Sequence, residues 1–511
     1  MSILLLFPPV AKICEPPAGI ARLAGALRER RIDCVTIDLN LDCMLDLIAT
    51  GATAQDTWSR RAFKNRDHHI RDLRSSTIYH QPDRYRRAVK DLNRVVANFG
   101  RPAGLELSLA NYSDPELSPL KSCDLLEAAE QYRKNPFYSN FSSRLDSLLE
   151  GSSFTFIGIS FSYLSQALTG FAILGYIRAF YPTIQTVAGG GVITSWMSSS
   201  TWLNRFSGYV DHLIKGPGEQ ALLELMGHQP ERLPGKPDYS GMDFGSYLAP
   251  GPVLPYAASD GCYWKKCTFC PDHAENSCFS QNSPDRVIDE ISDLISSHKP
   301  LLLHFLDNAM SPALLTTLIE QPPGVAWYGF SRFERELENP DFCHALKKSG
   351  CVMLKLGLES GSQHVLDQMK KGISLNRAAR VLGNLEKAGI ATYIYLLFGT
   401  PHETEEEARM TMDFVTNHHQ AVTFLNLAIF NMPVCGPNAD DLKNRFSDGD
   451  LSLYCDFDHP RGWDRRSVRS FLQNCFRKVP EINTILQRDP PFFTSNHAPF
   501  FCMDDPIVNL R

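Results

Sequence analysis

The sequence has no apolar run near the roughly 20 residues that a membrane-crossing helix needs, which argues against a bilayer span. It has no excess of positive charge. A formal net charge of −6 argues against a dedicated nucleic-acid binder. Nothing recurs at a period of roughly 20–50 residues, which excludes solenoids and propellers. A secretion signal is also missing: Met-Ser-Ile-Leu-Leu-Leu-Phe is apolar, but no basic segment precedes it and Pro8-Pro9 cuts it short. Residues 3–7 read instead as a buried first strand. What is present is ordinary for a globular chain, with 43% hydrophobic and 21% charged residues. A length of 511 residues exceeds what one core usually serves, so two or three domains are expected.

There are fourteen cysteines. Without a secretion signal they read as reduced thiols of a cytoplasmic protein. Most are scattered along the chain, but the stretch from Cys262 to Cys278 is dense and needs an explanation.

Strand and helix patterns alternate in two series. The first has strands at 3–7, 34–39, 154–161, a run ending in Ala188-Gly189-Gly190-Gly191, and 209–215, with helices at about 18–30 and 166–180. Short strand–helix–strand spacing implies a parallel sheet with right-handed crossovers. A polar, helical insertion interrupts it from about 42 to 152. Within the insertion, Ser59 to Arg94 hold eleven Lys/Arg against four Asp/Glu, which is either a solvated helix face or a docking face for an acidic substrate or carrier. Residues 229–256 are rich in Pro and Gly and read as a linker. The second series has strands at 253–258, 301–306, 325–330, 352–358, 391–398 and 422–428, separated by helices such as 284–297, 341–349, 375–388 and 404–418. Such repeated strand–helix units fit a partial or full α/β barrel. Beyond about residue 438 the chain is aromatic, with clustered Arg and Asp and no alternation.

The dense segment reads Ser259-Asp260-Gly261-Cys262-Tyr263-Trp264-Lys265-Lys266-Cys267-Thr268-Phe269-Cys270. Closed zinc sites and simple electron-transfer clusters want four ligands, whereas these three thiolates would leave one position of a cluster open. Zinc, with His273 or Cys278 as a fourth ligand, stays open on the loop alone. The strand ends that follow favour a cluster. Active groups of parallel barrels collect where strands end. Here those ends carry Asp307-Asn308, Arg332 with Glu334, Gly357-Leu358-Glu359-Ser360-Gly361-Ser362, and Gly399-Thr400-Pro401.

On these residues, with Leu306-Asp307-Asn308-Ala309, Val365-Leu366 and Met369-Lys370-Lys371-Gly372, and Phe398-Gly399-Thr400-Pro401-His402-Glu403-Thr404, the chain resembles the radical S-adenosylmethionine superfamily. The specific resemblance is to its cobalamin-binding-domain branch. It covers roughly residues 1–440. It implies an α/β chain with a Rossmann-like, cobalamin-binding-type domain at 1–230, a linker at 231–250, a radical SAM barrel at 251–438 and a C-terminal extension at 439–511.

The resemblance also implies roles. Cys262, Cys267 and Cys270 would ligate three irons of a [4Fe-4S] cluster, and the fourth iron would bind S-adenosylmethionine. One electron would then release a 5′-deoxyadenosyl radical. Phe269 would lie near the adenine, Glu359, Ser360 and Ser362 near the methionine or ribose, and Pro433 and Gly436 along the adenine pocket. Helix caps and turns are the structural alternatives for those Glu, Ser, Pro and Gly residues. Gly189, Gly190 and Gly191, with Gly216-Pro217-Gly218, would meet cobalamin, although the loop Pro8 to Cys14 lacks the axial histidine of many cobalamin proteins. The family spacing C-x-x-x-C-x-x-C is widened here by one residue, to be absorbed by a wider loop with Tyr263 and Trp264 against the cluster. The implied reaction is methyl transfer to an unactivated carbon, with a cobalamin-independent oxidation or rearrangement as the alternative. A non-catalytic metal-binding module is the third reading. Partners would be a small-molecule or peptide substrate and an electron donor such as flavodoxin or ferredoxin. In the tail, His497 and its aromatic neighbours would either close the barrel mouth or pack as a cap.

Overall fold

Short apolar segments bounded by turn residues make the first sheet: β1 (Ser2–Leu6), β2 (Asp33–Ile37), β3 (Phe156–Ser160), β4 (Gln185–Gly189) and β5 (His212–Leu213). The structure is a computed structural model that describes residues 1–50, 56–229, 235–436, 449–491 and 497–502. All pairings in this sheet are parallel, in the order β2-β1-β3-β4-β5. That order reverses direction between β1 and β3, the place where open α/β sheets take ligands. Here Gln166 Nε2 donates to Pro8 O (2.7 Å) and Ser165 Oγ to Val10 O (2.8 Å), tying the two loops together.

Ile3, Leu5, Phe156 and Val187 pack with Ile20, Ala24 and Leu27 of the helix Ala18–Glu29 in one core. Each such side chain contributes roughly 1.5–3 kcal/mol on burial. The insertion forms the helices Leu39–Thr50, Thr57–Leu73, Pro82–Gly100, Ser122–Glu130 and Tyr138–Leu149, with a two-residue hairpin at Glu106–Leu107 and Tyr112–Ser113.

The first compact unit spans Met1–Val253 and the second starts at Leu254. The described part of 231–250 belongs to the first: Tyr239 and Leu248 are buried, and Asp238 N donates to Ala21 O at 2.9 Å. The boundary expected at 438–439 lies outside the described residues.

The second sheet has β6 (Val253–Tyr256), β7 (Leu302–Phe305), β8 (Ala326–Ser331), β9 (Cys351–Glu359), β10 (Ala391–Phe398) and β11 (Phe424–Ile429). Its neighbours follow chain order, β6-β7-β8-β9-β10-β11, and no hydrogen-bonded pairing joins β6 to β11 among the described residues. The described strands thus form an open sheet, as in a partial barrel. Between strands lie helices with visible stops and starts. Leu375–Ala388 is capped by Ser374, whose side chain accepts from Arg377 N, and ends at Gly389 with φ +72°. After β11 the short strand Met432–Pro433 pairs antiparallel with Tyr454–Cys455, and the helices Arg465–Asn474 and Pro480–Arg488 follow. Among the described residues no helix is long and apolar enough to cross a membrane.

Candidate active site

The cysteine loop leaves the C-terminal end of β6 through a small hairpin, in which Ser259–Asp260 pairs antiparallel with Ser280–Gln281. Gly261 turns the chain into the loop at φ +70°, where a Cβ would meet Cys278 O at 2.7 Å. Both reasons require glycine. Asp307, at the end of β7, accepts from Ser259 Oγ (2.5 Å) and Ala258 N (3.1 Å). Its buried carboxyl is held above the usual carboxylate range by desolvation, against which those bonds work. Asp307 therefore anchors the base of the loop.

The loop is also tied to the turn at 369–372. Thr268 N donates to Met369 O at 3.0 Å, and Trp264 Nε1 to Lys370 O at 2.9 Å. Tyr263 Oη donates to Glu334 Oε1 at 2.6 Å, and Arg332 Nε to the same oxygen at 3.2 Å. The extra residue of the first spacing is thus absorbed by turning Tyr263 and Trp264 onto Glu334 and the 369–372 turn, with Lys265 at φ +45°.

Cys267 is buried, and Cys262 and Cys270 are half-buried. Desolvation pushes the Cys267 thiol up, and Lys371 and Arg332 pull against it. Desolvation also raises the Cys270 thiol, opposed by the backbone N–H groups of His273 and Asp272. Charge on Cys262 would raise the Cys267 thiol further, and charge on Cys267 the Cys270 thiol, so the thiols share one neighbourhood. Coordination to a metal centre overrides the desolvation penalty on the thiolates, because a coordinating thiol is deprotonated outright. The donor set suits a cluster with one thiolate on each of three irons. Neither His273 nor Cys278 joins them in a single-ion site: among the described residues no group of three or more His, Cys, Asp or Glu is disposed to hold one metal ion.

Glu359 closes β9 with φ +66°, and its Oε1 accepts from Lys371 Nζ at 2.7 Å. Lys371 also stands over the Phe269 ring, 5.5 Å from its centroid. This connects two expected ligand-facing residues through a lysine that sequence reasoning did not single out, although it lies in the quoted Met-Lys-Lys-Gly motif. Ser360 Oγ lies 3.3 Å from Thr411 Oγ1 and accepts from Ser362 N at 3.1 Å. Ser362 caps the helix Gln363–Gln368, its hydroxyl accepting from Val365 N. Both hydroxyls therefore have intramolecular duties. Phe269 packs with Leu397 and Val434 against Phe430, Met432 and Cys455. Pro433 lies in the short strand beside that group, and Gly436 N donates to Pro433 O at 2.8 Å, forming a turn.

Sequence reasoning also missed Lys355 in mid-β9. Its Nζ is 3.5 Å from His304 Nε2 and 4.9 Å from the centroids of Tyr328 and Phe330. One charged residue in an otherwise apolar run was the available signal.

In the first unit the three consecutive glycines differ. Gly190 has φ +100°, and a Cβ there would lie 2.5 Å from Phe161 O, so it serves close packing of β3 and β4 ends. Gly189 and Gly191 meet nothing nearer than 3.6 and 3.9 Å, and Gly216 nothing within 4 Å. These strand ends leave bare backbone that a Cβ would cover, a cradle that fits a large flat ligand.

Two parallel α/β units, the second with a three-cysteine loop at the C-terminal end of its first strand, define the architectural class. Residues 256–415 match the Radical SAM superfamily. A bacteriochlorophyllide d C-12(1)-methyltransferase from Chlorobaculum tepidum is 26% identical over 244 residues, covering 45% of this chain and 51% of the relative. The chain thus matches about half of that relative's length. The radical S-adenosylmethionine methyltransferase TsrM of Kitasatospora setae, solved with cobalamin and a [4Fe-4S] cluster bound, has a similar fold: TM-score 0.53 at 14% identity, covering 88% of this chain and 82% of that one. The cobalamin-dependent S-adenosylmethionine radical enzyme OxsB, solved with aqua-cobalamin, also gives TM-score 0.53 at 14% identity, covering 83% of this chain and 52% of its own. The chain shares its overall fold with these two structures.

Proposed function

We propose that this enzyme holds a [4Fe-4S] cluster on Cys262, Cys267 and Cys270, cleaves S-adenosylmethionine reductively there, and uses cobalamin on its first unit to methylate an unactivated carbon. The observation that carries this is the loop itself: Cys262, Cys267 and Cys270 lie within nine residues just after the first strand of the second sheet, inside the segment that matches the Radical SAM superfamily. When bound, the cluster supplies the electron that breaks the sulfonium bond, and cobalamin carries the methyl group.

The protein's own part is to position and to shield. Asp307 anchors the base of the loop, Glu334 holds Tyr263, and Met369 O holds Thr268 near its far end. The Lys371–Glu359 pair and Phe269 stand beside the thiols, where Phe269 would flank the adenine and Glu359 the methionine or ribose end of the cosubstrate. Ser360 and Ser362 shape that turn from within. Pro433 and Gly436 form the turn beside Phe269's apolar group, on the adenine side. Gly189 and Gly191 offer the open backbone for the corrinoid, while Gly190 holds the strand ends together. The substrate would be a small molecule or peptide, and a flavodoxin- or ferredoxin-type protein would deliver the electron. The cysteines other than Cys262, Cys267 and Cys270 are free thiols, which suits a reducing cytoplasm.

The test is anaerobic reconstitution with iron and sulfide, followed by reduction in the presence of S-adenosylmethionine. 5′-Deoxyadenosine should form, and should be lost in Cys262→Ala, Cys267→Ala and Cys270→Ala proteins. Zinc in the purified protein with no cleavage would overturn the cluster. Corrinoid content of anaerobically purified protein separates methyl transfer through cobalamin from a cobalamin-independent reaction.

A further inference from the structure

The four residues between Cys262 and Cys267 hold a second device. Trp264, inside this widened spacer, is fixed on three sides. Its indole N–H donates to Lys370 O at 2.9 Å. Its six-membered ring lies against Gly372, where an added Cβ would be 2.0 Å from Cζ2. Its π-system meets the guanidinium of Arg332, 4.4 Å from the centroid, while Lys266 Nζ stands 4.8 Å away. Gly372 at φ +73° is the residue that makes room for this contact.

Arg332 is in turn immobilised. Its side chain is 6% exposed, Nε donates to Glu334 Oε1, and Nη2 donates to Lys371 O. These contacts leave Nη1 facing Cys267 Sγ at 4.0 Å, an electrostatic approach longer than a strong hydrogen bond. A guanidinium keeps its charge at any accessible pH, so a permanent cation sits beside one thiol of the three. The other nearby cation, Lys371, has its own carboxylate in Glu359 at 2.7 Å. Glu334, by contrast, is shared between Arg332 and the Tyr263 hydroxyl. Both cations around Cys267 thus have a carboxylate partner, and Arg332 is the one that approaches the sulfur with a fixed, permanently charged fork.

Cluster potentials respond to net charge and to hydrogen bonds at the sulfurs. The groups that orient and polarise ligands count alongside the ligands themselves. A fixed cation at a thiolate stabilises the more negative, reduced state. We propose that Arg332, clamped by Trp264 and Glu334 against Cys267, is a positioning residue that raises the reduction potential of the cluster. This rests on the reading that Cys262, Cys267 and Cys270 hold such a cluster. It gives the longer spacer a purpose: the added length lets Trp264 reach Arg332 and Gly372.

The experiment is an EPR-monitored redox titration of the full chain, reconstituted anaerobically without S-adenosylmethionine, with iron and sulfide measured for each sample. Arg332→Gln should keep the cluster and shift its midpoint to more negative potential. Arg332→Lys should recover part of the shift, because it restores charge without the fork. Trp264→Leu, which keeps the charge and removes the clamp, should shift in the same direction by less. Equal midpoints in wild type and Arg332→Gln at full iron content overturn the proposal and leave the cluster intact. If Arg332→Gln loses its iron, Trp264→Leu decides, and an unchanged midpoint there overturns it. A wild-type protein that takes up no cluster overturns the cysteine reading itself, and this proposal with it.

Discussion

Lys371 Nζ lies 2.7 Å from Glu359 Oε1, and the two side chains are 9% and 12% exposed. The pair joins the strained end of β9, at φ +66°, to the 369–372 turn, whose carbonyls accept from Trp264 and Thr268 of the cysteine loop. Removing one member strands the other charge away from water. Lys371→Met should therefore lower stability by roughly 3–5 kcal/mol, the range for breaking a buried pair. Replacing both members removes the stranded charge as well, so Lys371→Met with Glu359→Leu should be more stable than Lys371→Met alone. Denaturant midpoints of the variants measure this, and a double variant no better than the single one would refute the role given to the pair.

The three consecutive glycines allow a test that separates packing from ligand approach. Gly190→Ala places a Cβ 2.5 Å from Phe161 O at φ +100°, so it should destabilise the first unit by about 1–3 kcal/mol. Gly191→Ala meets only Ser162 O at 3.9 Å and should leave the melting temperature unchanged. A bulkier Gly191→Leu should lower corrinoid content at unchanged stability. Thermal melts and cobalamin absorbance of the same samples are the readouts, and full corrinoid content in Gly191→Leu would remove Gly191 from the binding surface.

Elements with a strong local signal were legible to within a residue or two. Ala391–Phe398 matches the expected 391–398, and Leu375–Ala388 matches 375–388, since a Ser cap and a C-terminal glycine mark that helix. The cysteine loop was legible for the same reason, because its residues are contiguous. What lay hidden depends on contacts across the fold. Lys371 and Glu359 are brought together by a turn whose backbone angles no spacing rule specifies. Asp307 looked like a member of the site, yet its carboxyl is occupied by Ser259 and Ala258. The two-residue strands at 106–107 and 112–113 are too short for any periodicity to show.

Glu403 gives a pH signature. Its side chain is fully buried, accepts from Gly399 N and from Trp463 Nε1 at 3.1 Å, and is pushed up to about 8 by desolvation. The folded protein thus keeps a proton there that the unfolded chain releases above about pH 4.5. By linkage, this contribution to stability is complete below that pH and is lost as pH rises toward 8. The slope is on the order of 1 kcal/mol per pH unit within that window. Glu403→Gln should flatten it. Denaturant midpoints of both proteins at several pH values between 5 and 9 are compared as a difference, which cancels the other titrating groups; a difference that stays constant with pH would contradict this assignment.

His497 tests the two roles considered for the tail. Residues 492–496 lie outside the described residues, but His497 is placed, with its ring stacked on Tyr393 at 4.6 Å and 18°. It meets Phe424 edge-on at 4.6 Å, and its Nε2 lies 3.2 Å from Asp489 Oδ1. Tyr393 and Phe424 are near the starts of β10 and β11, whereas the cysteine loop follows the end of β6. In a parallel sheet those are opposite edges, so His497 serves the capping role and does not cover the thiols. His497→Ala should cost about 1–3 kcal/mol through the lost ring contacts and bond to Asp489. At a temperature where the variant is folded, its yield of 5′-deoxyadenosine per reduced cluster should equal that of the wild type. Normal stability combined with lost S-adenosylmethionine cleavage would reverse the assignment and return His497 to the active edge.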